Sequence, residues 1–514
     1  MGYKFNNFYE LITLHGKKRK NKTALLLNED KITYGEILQS ADKLASYLSQ
    51  KGIKEGDKVA LFLRNSAEFI YTIFAVSKLG AILVPVNTFL KSEELSYILE
   101  DSGSKILIAS AIHDKVVNSS QASTLCDFIL WEGDESAEGE THLHFKDVWL
   151  EEKRIDSRAK DLDSTAVIIY TSGTTGKPKG AMLSNKNVLS NADSGRRTIN
   201  VKPRDRAIVF LPMFHSFTFS IGVMLPMYVG ASIVIIQSIQ PFSNIFKQTL
   251  TKRVTVFFGI PDVYNALAKA KLPWYFMWFN RIRAFISGAA ALQPKTLDAM
   301  AKKFRRATLL EGYGLSEASP AVCMNTFRKQ KEGSVGTALY GYEMKIVDEE
   351  MTEVDNGAIG DIIVRGDNVM KGYLNRPTAT EETIVNGWLL TGDMGYMDDE
   401  GFLFIVDRKK DLIISKGINI YPREIEEIID AFDGVGASAV IGIIDEKSGE
   451  VPIVYIELSE GTEAIDEQGL KKHMREHLAN YKLPKQIHTI AELPKNATGK
   501  VLKRVLKENL RDEE

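Results

Sequence analysis

Residues Tyr170 to Gly180 read YTSGTTGKPKG, a stretch with three glycines, four Ser/Thr hydroxyls, two lysines and no acidic group. Directly ahead of it stands Ala166-Val167-Ile168-Ile169, short, largely β-branched and bounded by turn residues. That pattern predicts a buried strand running into a flexible loop. Glycine lets backbone N–H groups turn toward an anion, hydroxyls donate hydrogen bonds, and lysine supplies fixed positive charge. Polyphosphate is the natural guest. The order differs from the Walker A pattern, in which GxxxxGK precedes Ser or Thr and opens a helix. Here the spacing is GTTGKPKG, and Pro178 disfavours helix for the residue before it. Composition alone would suit an ordinary surface loop; the order of the residues is more specific than that.

Outward from this stretch, further short motifs recur along the chain. Ser287 to Ala291 reads SGAAA, Gly312 to Glu317 reads GYGLSE, and Thr391 to Asp393 reads TGD. Asp407-Arg408 opens the charged run DRKKD, and Leu493 to Lys500 reads LPKNATGK. Each has an ordinary reading by itself. GYGLSE could be a strand-turn with an exposed acid, an Asp after Gly is often a turn residue, and a lysine after Thr-Gly near a chain end is commonly a surface group. Together, and over nearly the whole chain, they resemble the AMP-forming adenylating enzymes: acyl-CoA synthetases, peptide-synthetase adenylation domains and luciferases.

That resemblance implies roles for particular residues. Thr171, Ser172, Gly173, Thr174, Thr175, Gly176 and Lys179 would cradle the phosphates of ATP. Ser287, Gly288 and Ala289 would line the nucleotide and acyl pockets, where small side chains let substrate lie against the backbone. Gly312, Tyr313, Gly314 and Ser316 would surround adenine, with Tyr313 packed on the ring; Ser316 stands where the family carries Thr. Glu317, helped by the Thr171 hydroxyl, would hold Mg²⁺, which prefers hard oxygen ligands. Asp393 would accept hydrogen bonds from the ribose hydroxyls, and Arg408 would reach the ribose or the α-phosphate.

The same resemblance names Lys500 as the adenylation catalyst, carried into the site when a small C-terminal domain closes. Lys410 falls at the family's hinge position, and the loop Ser415–Ile420, with Lys416 and Gly417, would swing beside the pantetheine arm of CoA. SKG in place of the commoner SGG, and Lys at the hinge, leave the thiolation kinetics open. His215, within LPMFHSF, resembles the aromatic gate of the acyl channel; a satisfied core histidine is an equal alternative. The implied chemistry converts a carboxylate, a poor electrophile, to an acyl-adenylate with release of pyrophosphate. A thiol, most naturally that of CoA, then displaces AMP. Positioning and charge neutralisation suffice for such phosphoryl chemistry.

Bulk properties are compatible with this. At 514 residues the chain should hold more than one domain. A hydrophobic content of 44% and a charged content of 26% suit a soluble globular enzyme, and a net charge of −2 gives no electrostatic reason to expect nucleic acid. Cys126 and Cys323 are too few and too far apart for a disulfide framework or metal cluster, which fits a reducing, cytoplasmic setting. Lys17-Lys18-Arg19-Lys20 reads as a solvated helix end rather than a targeting patch. The uncharged interval between Arg206 and Lys247 is long enough to span a membrane, but Pro212, Pro226, Pro241, Gly222, Gly230 and His215 argue for a buried core. No transmembrane segment is expected; a peripheral membrane contact and a homodimer stay open.

Helix and strand alternate through the first third. Thr33 and Glu36 form a capping-box pair ahead of Ile37, Ala41, Leu44 and Leu48, and Gly52 ends that helix. Such alternation implies a mostly parallel sheet covered on both faces. Past Gly333 the short strands Met344–Val347, Gly360–Arg365 and Gly401–Ile405 suggest a β-rich subdomain. The fold expected is α/β: an N-terminal part, residues 1–409, of two parallel-sheet subdomains and a small β-rich one, then a small mobile C-terminal α/β domain, residues 410–514. Two motifs are decoys. GVGASA at Gly434–Ala439 matches a dinucleotide fingerprint but precedes a strand instead of following one, so it reads as a turn. HMREH at His473–His477 lacks an obvious third ligand and reads as a partly exposed helix face.

The acyl pocket offers His215, Phe217, Phe258, Tyr264, Ala289, Ala290 and Gly312, with no Arg or Lys for a second carboxylate. An apolar monocarboxylic acid follows, and DRKKDLIISKGINIYPREIEEI is most like bacterial fatty acyl-CoA ligases, favouring a medium- to long-chain fatty acid. The rivals are an aromatic-acid CoA ligase and an enzyme loading an acyl carrier protein.

Overall fold

The computed structural model describes residues 4–133, 142–171, 177–238, 241–288, 290, 292–415, 418–445, 449–459, 461–496 and 499–513. Ser172, Gly173, Thr174, Thr175, Gly176, Ala289, Lys416 and Gly417, all expected at the site, lie outside the described residues.

Two large sheets form the first part of the molecule. In one, Lys58–Phe62, Ile82–Pro85, Ser104–Ser110, Phe128–Glu132, His142–His144 and Thr165–Thr171 run parallel; Lys179–Ser184 then returns antiparallel to Thr165–Thr171 and carries Gly372–Tyr373 at its outer edge. In the other, a parallel centre is built from Thr23–Leu27, Ser232–Ile235, Arg206–Val209, Val256–Gly259, Ala284–Ser287 and Thr308–Gly314. Antiparallel strands close both of its ends.

The strand expected at Ala166–Ile169 extends to Thr171, and the chain past Pro178 resumes as a strand, with Thr171 opposite Lys179. Among the described residues no helix opens there, which is where the chain departs from a Walker A loop. The expected capping box is present: the Thr33 hydroxyl accepts from the Glu36 amide, and the Glu36 carboxylate accepts from the Thr33 amide at 2.7 Å. The helix Ala67–Leu79 is capped by Ser66, and the Asn65 side chain just ahead of it is used elsewhere. Its Nδ2 donates to Leu211 O (3.0 Å) and Ile236 O (3.2 Å), and its Oδ1 accepts from the Met213 amide (2.9 Å). One buried amide thereby ties the first sheet's segment to the strand ends of the second.

A third, antiparallel sheet contains Tyr342–Val347, Gly360–Gly366, Trp388–Met397, Ile384–Val385 and Leu403–Arg408, matching the β-rich region expected past Gly333. A fourth sheet joins Ile413–Ser415, Ile418–Ile420, Val435–Asp445, Gly449–Leu458 and Ile487–Ile490. Cores divide along the same line. The main apolar core takes its last fully buried member at Leu403, and two separate clusters on the two faces of the fourth sheet begin at Ile413.

The interval between Arg206 and Lys247 resolves into Arg206–Val209, a wide helical turn Thr218–Met224 continuing as Leu225–Val229, and Ser232–Ile235. Among the described residues no helix is long and apolar enough to cross a membrane. Both decoys fail. Gly434 takes a left-handed φ of +91° in a turn and the strand starts at Val435, so Gly436 lies in the strand and not in the turn. His473 and His477 meet the backbone carbonyls of Ile428 and His473, and no metal-binding group of His, Cys, Asp and Glu occurs among the described residues.

Asn65→Leu keeps the branching at Cγ and abandons three backbone partners. Each unpaired buried group costs about 1–3 kcal/mol, so the urea midpoint of the N-terminal part should fall clearly, while an exposed control such as Lys54→Gln leaves it unchanged.

Candidate active site

Three elements from distant parts of the chain converge on one carboxylate. Asp393 lies in Trp388–Met397, just past Gly392, whose φ of +74° is the left-handed turn a side chain resists. Thr391 fixes the local geometry: its hydroxyl donates to Ile362 O at 2.8 Å and accepts from the Asp393 amide at 3.2 Å. The Tyr313 hydroxyl donates to Asp393 Oδ2 at 2.6 Å, and Arg408 Nε lies 3.3 Å from Oδ1. Arg408 sits directly opposite Asp393 in the antiparallel ladder, so the pairing follows from sheet register. Burial and the Asp393 charge push the Tyr313 phenol well above its ordinary range.

Tyr313 is the sixth residue of Thr308–Gly314, a strand that folds back on Ala321–Met324. Gly314 permits the turn. A Cβ there would come within 2.0 Å of Pro320 O and 3.0 Å of Ala321 Cα, both backbone atoms with no room to give. The turn delivers Ser316 and Glu317. Ser316 Oγ meets Ser216 Oγ at 2.9 Å, tying this motif to the segment that carries His215 and Phe217.

Glu317 is held from another direction. Tyr373 donates its hydroxyl to Glu317 Oε1 at 2.8 Å, and the Lys179 ammonium stands 5.2 Å from the centre of the Tyr373 ring. Thr171, opposite Lys179, donates its hydroxyl to Lys179 O at 3.4 Å. The second Glu317 oxygen accepts no hydrogen bond among the described residues, leaving a hard anionic ligand beside the mouth of the YTSGTTGKPKG loop. That donor set fits Mg²⁺. Sequence reasoning missed Tyr373. It lies in KGYLN, with no local signature, and its position comes from pairing Gly372–Tyr373 with Lys179–Ser184 across a long sequence separation.

His215 is half-buried, and burial alone lowers its pKa to about 4; no charged group acts on it. Its Nδ1 accepts from the Phe217 amide at 3.3 Å, so the neutral ring carries its proton on Nε2. Phe217 packs edge-on against Phe258 with 6.3 Å between ring centres, and a Cβ on Gly288 would meet the Phe217 ring at 3.2 Å. Ser287 and Gly288 end their strand against this aromatic pair, the Ser287 hydroxyl buried and unpaired among the described residues. Tyr264, expected on the acyl wall, does not belong there. It is fully buried behind the sheet, and its hydroxyl donates to Ile286 O at 2.7 Å and Phe257 O at 3.2 Å.

The C-terminal tail reaches the same place. Lys500 closes a tight hairpin in which its amide donates to Asn496 Oδ1 at 3.0 Å and its carbonyl accepts from the Asn496 amide at 2.9 Å. A Cβ on the adjoining Gly499 would meet Asp262 Oδ2 at 2.8 Å and Ile260 Cδ1 at 3.2 Å, residues of the second large sheet's subdomain. Burial lowers the Lys500 pKa to about 8; Arg408 pushes it further down, Asp393 and Asp411 raise it, and Lys410 lowers it. The tail is docked by further contacts, Gln293 Nε2 to Asp430 Oδ2 at 3.1 Å and Lys295 Nζ to Asp430 O at 2.9 Å. Asp407 clasps the junction by accepting from the Arg423 amide at 2.8 Å. Lys410 sits in the single turn Lys409–Asp411 between the third and fourth sheets.

The model of the AMP-binding enzyme family matches residues 13–374, and that of its C-terminal domain matches residues 424–500. The chain belongs to the AMP-binding enzyme family. A long-chain-fatty-acid–CoA ligase of Mycobacterium tuberculosis, FadD13, is 33% identical over 93% of each chain. An anthranilate CoA ligase solved with anthranoyl-AMP overlays with a TM-score of 0.91 at 27% identity, covering 99% of this chain and 98% of that one. ATP-bound MatB from Rhodopseudomonas palustris gives 0.89 at 30% identity with 99% of both chains covered, whereas its nucleotide-free form gives 0.78 at 31% identity over the same share.

Gly314→Ala should move Tyr313 and Glu317 apart without unfolding the protein. We expect ATP affinity by calorimetry to drop at least about tenfold, a cost of about 1.4 kcal/mol, with circular dichroism unchanged.

Proposed function

We propose that the protein is an AMP-forming acid–thiol ligase that activates a medium- to long-chain fatty acid with ATP and passes the acyl group to CoA. The observation that carries the reading is the meeting of Tyr313, Arg408 and the field of Lys500 at Asp393. A nucleotide cradle and the tail's lysine share one site. The acyl side is supported by the charge-free surroundings of His215 and the paired rings of Phe217 and Phe258, which suit an apolar chain. The relationship to a long-chain ligase at 33% identity supports it further.

In this reading residues 1–409 bind ATP and acid, and residues 410–514 form a lid pivoting at Lys410. Asp393, acceptor-only as a carboxylate, takes the ribose hydroxyls, and Tyr313 lies against adenine. Glu317 with Thr171 would hold Mg²⁺, which when bound would supply positive charge beside the phosphates. Lys179 and the loop residues Ser172 to Gly176 bind the phosphates as they separate. Lys500 stands over the α-phosphate, where its fixed charge offsets negative charge that grows as the acid's carboxylate attacks. The carboxylate oxygen forms the new P–O bond, and pyrophosphate leaves. CoA's sulfur then attacks the acyl carbon, and AMP leaves.

The two steps need different groups at one place, so the lid must turn between them. The better overlay with the ATP-bound MatB, 0.89 against 0.78, fits a lid set for the first step. Lys416 and Gly417 come to the CoA side after the turn.

A cation held near pKa 8 before ligand arrives sets a pH dependence. Lys500 is charged below about pH 8 and neutral above it, so kcat/KM for adenylation should fall as pH rises through that value. Lys500→Ala should lose about 10²–10³ in adenylate formation, lose that alkaline limb, and keep CoA transfer from supplied acyl-adenylate. Equal losses in both steps contradict the assignment. Lys410→Pro should do the reverse, sparing adenylation and blocking transfer to CoA; normal overall turnover would remove the hinge.

The function itself is tested by AMP and pyrophosphate release from ATP over a panel of acids with CoA as acceptor. Fatty acids should give the highest kcat/KM. Preference for anthranilate- or coumarate-like acids would favour the aromatic reading that the anthranilate ligase overlay represents, and turnover only with an acyl carrier protein would overturn CoA as acceptor.

A further inference from the structure

The short helix Trp274–Phe279, WYFMWF, has no counterpart in the chemistry above. Phe276 is buried, its ring 5.6 Å from that of Phe246, whereas Trp274, Tyr275, Trp278 and Phe279 are 72%, 46%, 68% and 65% exposed. At about 100° per residue those four side chains share one arc of about 140°. Contiguous exposed apolar surface of this kind marks an interaction site.

Its surroundings are cationic. Between Asp262 and Glu311 the chain has nine Lys and Arg against a single acid, Asp298. Lys269, Lys271, Arg281, Arg305 and Arg306 are exposed around the helix, and Arg306 donates to Trp278 O at 3.2 Å. Trp and Tyr favour the boundary between lipid headgroups and acyl chains, and Lys and Arg beside them are drawn to anionic lipid. A second copy is a poor occupant, because a two-fold contact would set this positive face against itself.

We propose that the Trp274–Phe279 helix is a monotopic anchor that docks the protein on an anionic lipid bilayer, with the four aromatic side chains entering the interface and the flanking cations meeting lipid phosphates. The site is separate from the nucleotide cradle, and vesicle binding is measured without substrates, so its outcome is independent of the ligase reading.

The test is flotation of the full-length protein with vesicles of equal parts phosphatidylglycerol and phosphatidylcholine, at low salt. The wild type should float, and its tryptophan emission should shift to the blue. Trp274→Ser with Trp278→Ser should lower the partition coefficient at least about tenfold. Trp274→Phe with Trp278→Phe should retain most of it. Arg281→Gln with Arg306→Gln should reduce the preference over pure phosphatidylcholine vesicles, and an unchanged preference would overturn the part given to the flanking cations. All variants should keep the wild-type thermal midpoint and turnover on a short soluble acid. A wild type that stays with the aqueous fraction, or a double Ser variant that floats like it, overturns the proposal. So does a self-associated oligomer that the Ser variant disperses while no vesicle binding is seen.

Discussion

One buried carboxylate, Asp393, governs how the parts of this molecule meet. A tyrosine from a parallel sheet and an arginine from the last strand before the tail both address it, and the lysine of the terminal hairpin feels its charge. None of these partners is near it in sequence except through the hairpin that pairs Asp393 with Arg408. A carboxylate buried without such partners would be costly. Its oxygens are acceptors only, so the Tyr313 phenol and the Arg408 guanidinium supply the donors that burial demands.

Lys500 shows the complementary constraint. Its ammonium is held in a partly dehydrated place, with Arg408 and Lys410 repelling it and Asp393 and Asp411 in support. Burial and the neighbouring cations disfavour its charged form, and an anion placed beside it would favour that form. Among the described residues the tail's docking contacts include polar ones, Gln293 and Lys295 with Asp430 and Arg423 with Asp407 and Ile405 O, beside the approach of Gly499 to Asp262 and Ile260. Interfaces of that character permit relative motion. The separate apolar cores on either side of the Lys409–Asp411 turn point the same way.

Much of this was legible in the sequence because local rules carry it. The capping box at Thr33, the strand entering the phosphate loop, the β-rich texture past Gly333 and the order of short motifs all depend on neighbours a few residues away. What escaped depends on register between distant strands. Tyr373 reaches Glu317 only because Gly372–Tyr373 adds to the edge of Lys179–Ser184. Tyr264 looked like a pocket residue from its type, yet its hydroxyl is consumed by two strand carbonyls behind the sheet. Asn65 carries no local signal of its part, which is to stitch two sheets together through three backbone partners. The aromatic helix at Trp274 drew no reading from the sequence, because exposure, unlike hydrophobicity, is not written in a six-residue run.

The central claim is that the docked tail performs the first step and must leave for the second. Gln293→Cys with Asp430→Cys, bridged by a reducible bifunctional methanethiosulfonate, ties together positions whose native side chains meet at 3.1 Å, and the native Cys126 and Cys323 are buried. Single-turnover assays of the cross-linked protein test the claim directly. Acyl-adenylate should form at a rate near that of the reduced protein, with no transfer to CoA until reductant is added. A cross-linked enzyme that completes both steps, or one that fails at the first, would contradict the account.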